Sequence, residues 1–158
     1  MHISMTELFD CNYASLIKYY PLFKFGSEQS IYTKIMKAYY QNNTSYLRKI
    51  SASTSCEFLT EFCLFRLKMI TRNFSEEEIE HSFKNEYDGP WKGEINFCKG
   101  LALYRIGSFV KAQKYFLVAY KEYKKYEVSK KSLLSLSNAI TMEGNINNKN
   151  CTKIVSKK

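Results

Sequence analysis

The sequence predicts an all-α fold of about eight helices of modest length, paired as antiparallel hairpins and stacked into a short solenoid. Three observations predict it. Apolar residues recur at intervals of three and four through most of the chain, and at three places Ser or Thr stands three residues before a Glu where such a pattern begins. Only two prolines and six glycines interrupt 158 residues, and valine is confined to Val110, Val118, Val128 and Val155, which counts against strands. In the stretch 93–126, small residues stand where two closely crossing helices would need them.

Taken in order, Ser4 with Glu7 forms the first capping pattern, opening a helix of about 5–20 that carries Leu8, Phe9, Tyr13, Leu16, Ile17 and Tyr20. Pro21 ends it. Ser27 is placed to cap a helix of about 28–41, with Ile31, Ile35, Ala38 and Tyr39 inward. Asn42 and Asn43 break that helix, and Thr44 starts a short one containing Tyr46, Leu47 and Ile50. Thr54 with Glu57 repeats the capping pattern before a helix of about 55–72, the most apolar in the chain. Its Phe58, Leu59, Phe62, Cys63, Phe65, Leu67, Met69 and Ile70 occupy more than one face, the pattern of a central helix. Ser75 with Glu78 opens a helix of about 76–87, whose first-turn Glu76, Glu77 and Glu78 complement the helix dipole. Asp88 and Gly89 before Pro90 mark another helix start, and Trp91, the only tryptophan, is expected to pack inward.

The stretch 93–126 follows. Gly100 is expected on the inner face of its first helix, where the second crosses closely, despite a cost of about 1 kcal/mol for glycine inside a helix. Gly107 suits the left-handed position after the last turn, and Ser108 can cap the next helix. Ala112, Phe116 and Ala119 then share one face. Counted from Gly93, these five residues other than Ser108 fall at positions 8, 15, 20, 24 and 27 of a 34-residue unit, and the stretch resembles a tetratricopeptide repeat. It departs from that family's pattern at Asn96 in place of Trp, Lys99 in place of Leu, Leu103 in place of Tyr and Lys124 in place of Pro; the missing proline implies a longer second helix. The earlier pairs, 28–52 and 55–87, lack the spacing and read either as degenerate repeats or as a different helical packing. Ser129 caps a last helix of about 130–143, with Leu133, Leu134, Leu136, Ala139, Ile140 and Met142, and Gly144 closes it. We expect one helical domain over 1–144, and a basic, disordered tail over 145–158.

The charge is uneven. Residues 1–91 carry ten Lys or Arg against eleven Asp or Glu, whereas residues 92–158 carry fourteen against four, so the net +9 lies wholly in the C-terminal part. On the helix 109–126, Lys111, Lys114, Lys121, Lys124 and Lys125 fall within about 140° of arc, opposite Ala112, Tyr115, Phe116, Ala119, Tyr123 and Tyr126. That face is either a solvated lysine surface or a footprint for nucleic acid or an acidic partner. Arginine, the usual fork onto bases and phosphates, is limited to Arg48, Arg66, Arg72 and Arg105.

Other function classes find little support. There is no GxSxG, P-loop or Rossmann glycine pattern, and only His2 and His81 are available as imidazoles, so we expect no enzyme, no cofactor and no metal site. Five cysteines without a CxxC pair read as free thiols, with Cys11, Cys56, Cys63 and Cys98 buried and Cys151 exposed, which favours a reducing, cytoplasmic setting. No apolar run is long enough to span a membrane.

The tetratricopeptide resemblance implies a non-catalytic scaffold that binds a protein or an extended peptide in a groove lined by the first helix of each pair. Under it, Asn96, Lys99, Leu103 and Arg105 are the candidate lining residues, and the basic face Lys111–Lys125 is the alternative site. The Leu-rich face of 130–143 needs cover from the preceding hairpin, and a homodimer through 130–143 is a further expectation.

Overall fold

The computed structural model of the chain describes residues 26–83, 90–125 and 129–156. All regular structure among them is helical: α1 Gly26–Tyr40, α2 Thr44–Ser53, α3 Glu57–Thr71, α4 Glu76–His81, α5 Pro90–Arg105, α6 Phe109–Lys125 and α7 Ser129–Ser156. The expected helix at 5–20 lies outside the described residues. Where the sequence suggested one domain over 1–144, the described helices fall into two compact units, α1–α4 and α5–α7.

In the unit of α1–α4, the breaks are set by local chemistry. Asn42 adopts a left-handed φ of 54°. Its N–H donates to the Tyr39 carbonyl and that of Asn43 to Ala38, which satisfies the last carbonyls of α1. The Asn43 side chain then accepts from the Tyr46 N–H and caps α2. Between α2 and α3 the expected Thr54–Glu57 box does not form. Thr54 instead ends α2 through its N–H to Ile50, its hydroxyl accepts from the Cys56 N–H, and α3 starts at Glu57 rather than 55.

The Ser75–Glu78 box does form: the Ser75 hydroxyl accepts from the Glu78 N–H at 3.1 Å and donates to its carboxylate at 3.1 Å. Its helix is shorter than the expected 76–87. Backbone at Ser82 turns extended and Phe83 takes a φ of 60°, which brings the Phe83 ring against Phe58 and Phe65.

The core of this unit is built from rings. Tyr32 stacks on Phe62, Phe62 on Phe58, and Phe65 meets Phe74 edge-on at 4.8 Å. The Arg66 guanidinium, fully buried, lies 4.4 Å over the Tyr39 ring and 5.2 Å over Phe62. Helix α3 is central, as its apolar pattern implied: it packs against both α1 and α2 and buries Phe58, Leu59, Phe62, Cys63, Phe65, Arg66 and Met69. Burial pushes the Cys63 thiol up to about 11, and its Sγ donates to the Leu47 carbonyl.

In the unit of α5–α7, α6 packs extensively against both of its neighbours. Helices α5 and α6 run antiparallel, with Gly93 facing Tyr123 and Gly100 facing Phe116. A Cβ on Gly100 would lie 2.7 Å from the Phe116 ring, so the ring fills the space that glycine leaves. Gly107 has a φ of 82°, and the N–H groups of Gly107 and Ser108 donate to Tyr104 and Leu103, the paired bonds that close α5. The Ser108 carbonyl accepts the first bond of α6 from Ala112. Trp91 is buried, as expected.

The end of the chain corrects the sequence expectation. Helix α7 does not stop at 143, and 145–156 is helix rather than a disordered tail. Gly144 lacks the positive φ that would make it a stop, Asn145 beyond it is buried, and the Lys149 ammonium lies 5.7 Å over the Phe109 ring at the start of α6. Contacts on both sides of the glycine carry the helix through it.

Candidate interaction surface

Helix α6 has two chemically distinct faces. Ala112, Phe116, Ala119 and Tyr123 are fully buried against its neighbours. Opposite them, Lys114, Lys121, Lys124 and Lys125 are exposed and Lys111 is half-buried, so the basic face read from the sequence is on the surface. The lysines lie along aromatic surface: the Lys124 ammonium is 5.6 Å over the Tyr120 ring, and that of Lys114 is 6.0 Å over Tyr115. Two apolar residues share this face, Val110 at 67% exposure and Leu117 at 39%. Their spacing of seven and their position across the helix from Ala112 and Tyr123 mark them as outward.

The groove residues suggested on α5 fare differently. Leu103 is fully buried and Lys99 nearly so, with the Lys99 ammonium 5.7 Å over the Tyr115 ring. Asn96 is half-buried, and its amide donates to the Lys92 carbonyl one turn back. Only Arg105, in the last turn, is exposed. The four therefore do not form one open lining: α5 is buried on more faces than a helix with a single inner stripe, as the burial of the consecutive Phe97, Cys98, Lys99 and Gly100 around its axis shows.

One polar cluster escaped the sequence reading. Glu94 is fully buried, accepts a 2.5 Å hydrogen bond from the Tyr123 hydroxyl, and faces the Cys98 thiol at 3.8 Å. It is a carboxylate in helical register with Phe97, Cys98 and Leu101, and that apolar setting was the available signal. Its partners tie α5 to α6 in one register, and the Lys92–Glu122 pair at 3.7 Å adds a surface link between the same helices. Full burial keeps substrate from this carboxylate.

Helix α7 meets α6 through polar contacts. The Gln113 amide donates to the Ala139 carbonyl and the Glu143 carboxylate, and the Ser132 hydroxyl donates to the Tyr120 carbonyl. Among the described residues, no group of three or more His, Cys, Asp or Glu is placed to hold a metal ion, and no helix is long and apolar enough to cross a membrane. Cys56, Cys63 and Cys98 are free thiols; Cys63 and Cys98 are buried, and Cys56 is half-buried rather than buried. Compared with protein-family models, with curated proteins and with solved structures, the chain shows no significant match to any of them.

Proposed function

We propose that this protein is a non-catalytic helical interaction module of tetratricopeptide type, which binds a protein or peptide partner. The observation that carries this reading is the outer face of α6, where Lys114, Lys121, Lys124 and Lys125 surround the exposed Val110 and Leu117. Apolar side chains supply contact area and the lysines select an acidic partner. The hairpin resemblance supports the same reading, since Gly100, Gly107, Ala112, Phe116 and Ala119 perform the packing roles that the repeat pattern assigns to them. The burial of Lys99 and Leu103 leaves α5 little side chain to offer a partner, which supports a site on α6 in preference to α5.

The test is a quantitative pull-down from the protein's own cells with wild type and the charge-reversed Lys114→Glu/Lys121→Glu/Lys124→Glu variant. Loss of the wild-type partners is the expected result; retention of all of them overturns the reading. A second reading, nucleic-acid binding, draws on the same lysines. It is disfavoured because the face carries no arginine. It requires retention on a random-sequence duplex that falls steeply with salt.

A further inference from the structure

Helix α7 is partly inside out. Ser132, Ser135, Asn138 and Asn145 are buried, whereas Leu133 and Ile140 are each 66% exposed. The outward stripe runs Leu133, Ser137, Ile140, Gly144, Asn147, at alternating intervals of four and three. That is the spacing of a helix–helix seam, with large residues alternating with small ones. A Cβ added at Gly144 would meet nothing within 4 Å, so the glycine leaves an open recess and serves no contact inside the unit.

The stripe and the lysine face lie on one side of the α6–α7 pair. The contacts between the helices run through Gln113 and Tyr120 on α6 and through Ser132, Ala139 and Glu143 on α7. From that line, Leu117, Lys121 and Lys114 lie about 50° to 110° round α6, and Ile140, Leu133, Gly144 and Ser137 about 80° to 140° round α7. The helices are antiparallel, so both rotations lead to the same side. The face thus combines an uncharged seam on α7 with a basic ridge on α6.

We propose that the furrow between α6 and α7 on this side receives an acidic amphipathic helix from a partner protein. This rests on the reading of the chain as an interaction module and names the partner class. Apolar side chains of the partner, spaced at three and four, enter the recesses at Ser137 and Gly144 and pack on Leu117, Leu133 and Ile140. Carboxylates on one flank of the partner helix meet Lys114, Lys121 and Lys124. Charge selects this occupant over a second copy of the chain, because the same face of a second copy would bring further lysines and no acidic ridge to complement them. The recesses favour a helix over a lipid surface, which needs no holes.

The experiment is a selection from a displayed library of amphipathic helical peptides against the full chain. The enriched peptides are then titrated against wild type, Ile140→Glu, Gly144→Gln and Lys121→Glu/Lys124→Glu. We expect acidic peptides with apolar residues at the seam spacing, and a loss of about tenfold or more in affinity for each variant. Gly144→Gln is decisive, because it fills the recess while raising helix propensity, so misfolding cannot explain its loss.

Basic or unpatterned peptides, or binding indifferent to Gly144→Gln and Ile140→Glu, would overturn the proposal. So would concentration-dependent dimers on size exclusion that Ile140→Glu abolishes, or binding to anionic phosphatidylglycerol vesicles at the expense of the peptides. If the pull-down partners are lost on lysine reversal but kept by Gly144→Gln and Ile140→Glu, the interaction reading stands and the furrow assignment fails.

Discussion

The two units solve the same packing problem in opposite ways. In α1–α4, helices are held together by large rings: Tyr32, Phe58, Phe62, Phe65, Phe74 and Phe83 touch one another, and Arg66 lies on Tyr39 and Phe62. In α5–α6, the helices approach because side chains are missing: Gly93 and Gly100 receive the rings of Tyr123 and Phe116. Ring packing tolerates irregular spacing, because a large side chain can reach its partner from several backbone positions. Glycine packing demands a fixed register, because the gap exists at one place only. The second unit therefore writes a readable pattern into the sequence and the first does not.

The comparison is broken most severely by removing one ring from each unit. Phe62→Ala and Phe116→Ala should each cost about 3–5 kcal/mol, read by chemical denaturation. Hydrogen exchange should show the protection lost mainly within the unit that carries the substitution. Equal loss in both units from either variant would contradict the separate-core description.

The opposite perturbation, adding a methyl group, tests the glycine packing within the second unit. Gly100→Ala adds one methyl group 2.7 Å from the Phe116 ring and should cost about 1–3 kcal/mol, more than helix propensity alone would return. Gly144→Ala, with nothing within 4 Å, should instead stabilise by up to about 1 kcal/mol. Two glycines in the two helices that flank α6 thus give opposite signs in the same thermal melt.

Tyr123→Phe tests whether the buried polar tie matters as much as the ring. It keeps the contact with Gly93 and removes the hydroxyl that Glu94 accepts from, at a cost of about 1–3 kcal/mol.

The smallest effects concern helix ends. Ser75→Ala removes the cap of α4, at a cost of about 1 kcal/mol. It should also raise the Glu78 pKa, which hydrogen bonds from Lys68 and Ser75 hold below its ordinary 4.5. Because the folded value is the lower one, Glu78 supports the fold above the unfolded pKa, and that support is lost as pH falls through the folded value. Proton NMR titration of Glu78 in the variant should show the shift reduced; an unchanged titration would assign it to Lys68 alone.

How much was legible follows from the same contrast. Gly107 and Gly100 could be placed by sequence because each has one physical job, a positive φ or a close approach. Ser75 was legible as a helix start because a short polar side chain caps locally, whereas Asn43, legible only as a break, proves to be the cap of α2. Thr54 misled because its N–H closes α2 on the Ile50 carbonyl and its hydroxyl accepts from the Cys56 N–H, so it serves the end of one helix and the link beyond it. Gly144 misled because a glycine marks a helix end only when the backbone turns left-handed, and contacts of Asn145 and Lys149 keep it from turning.

The surface was half legible. The lysines of α6 follow directly from the helical wheel. Lys99 and Leu103 did not, because their burial depends on neighbours that no local pattern reveals. The outward Leu133 and Ile140 were read as part of an apolar face awaiting cover from the preceding hairpin, whereas the buried positions of α7 include Ser135 and Asn138.

Recognition is proposed on the α6 side of the hairpin and not on α5. A photocrosslinking amino acid at Lys121, compared with one at Arg105, in the protein's own cells tests it most directly. Both positions are exposed, and they lie on different helices. Discrete protein adducts are expected from position 121 and none of them from position 105. Adducts from 105 alone, or none from 121, would contradict it.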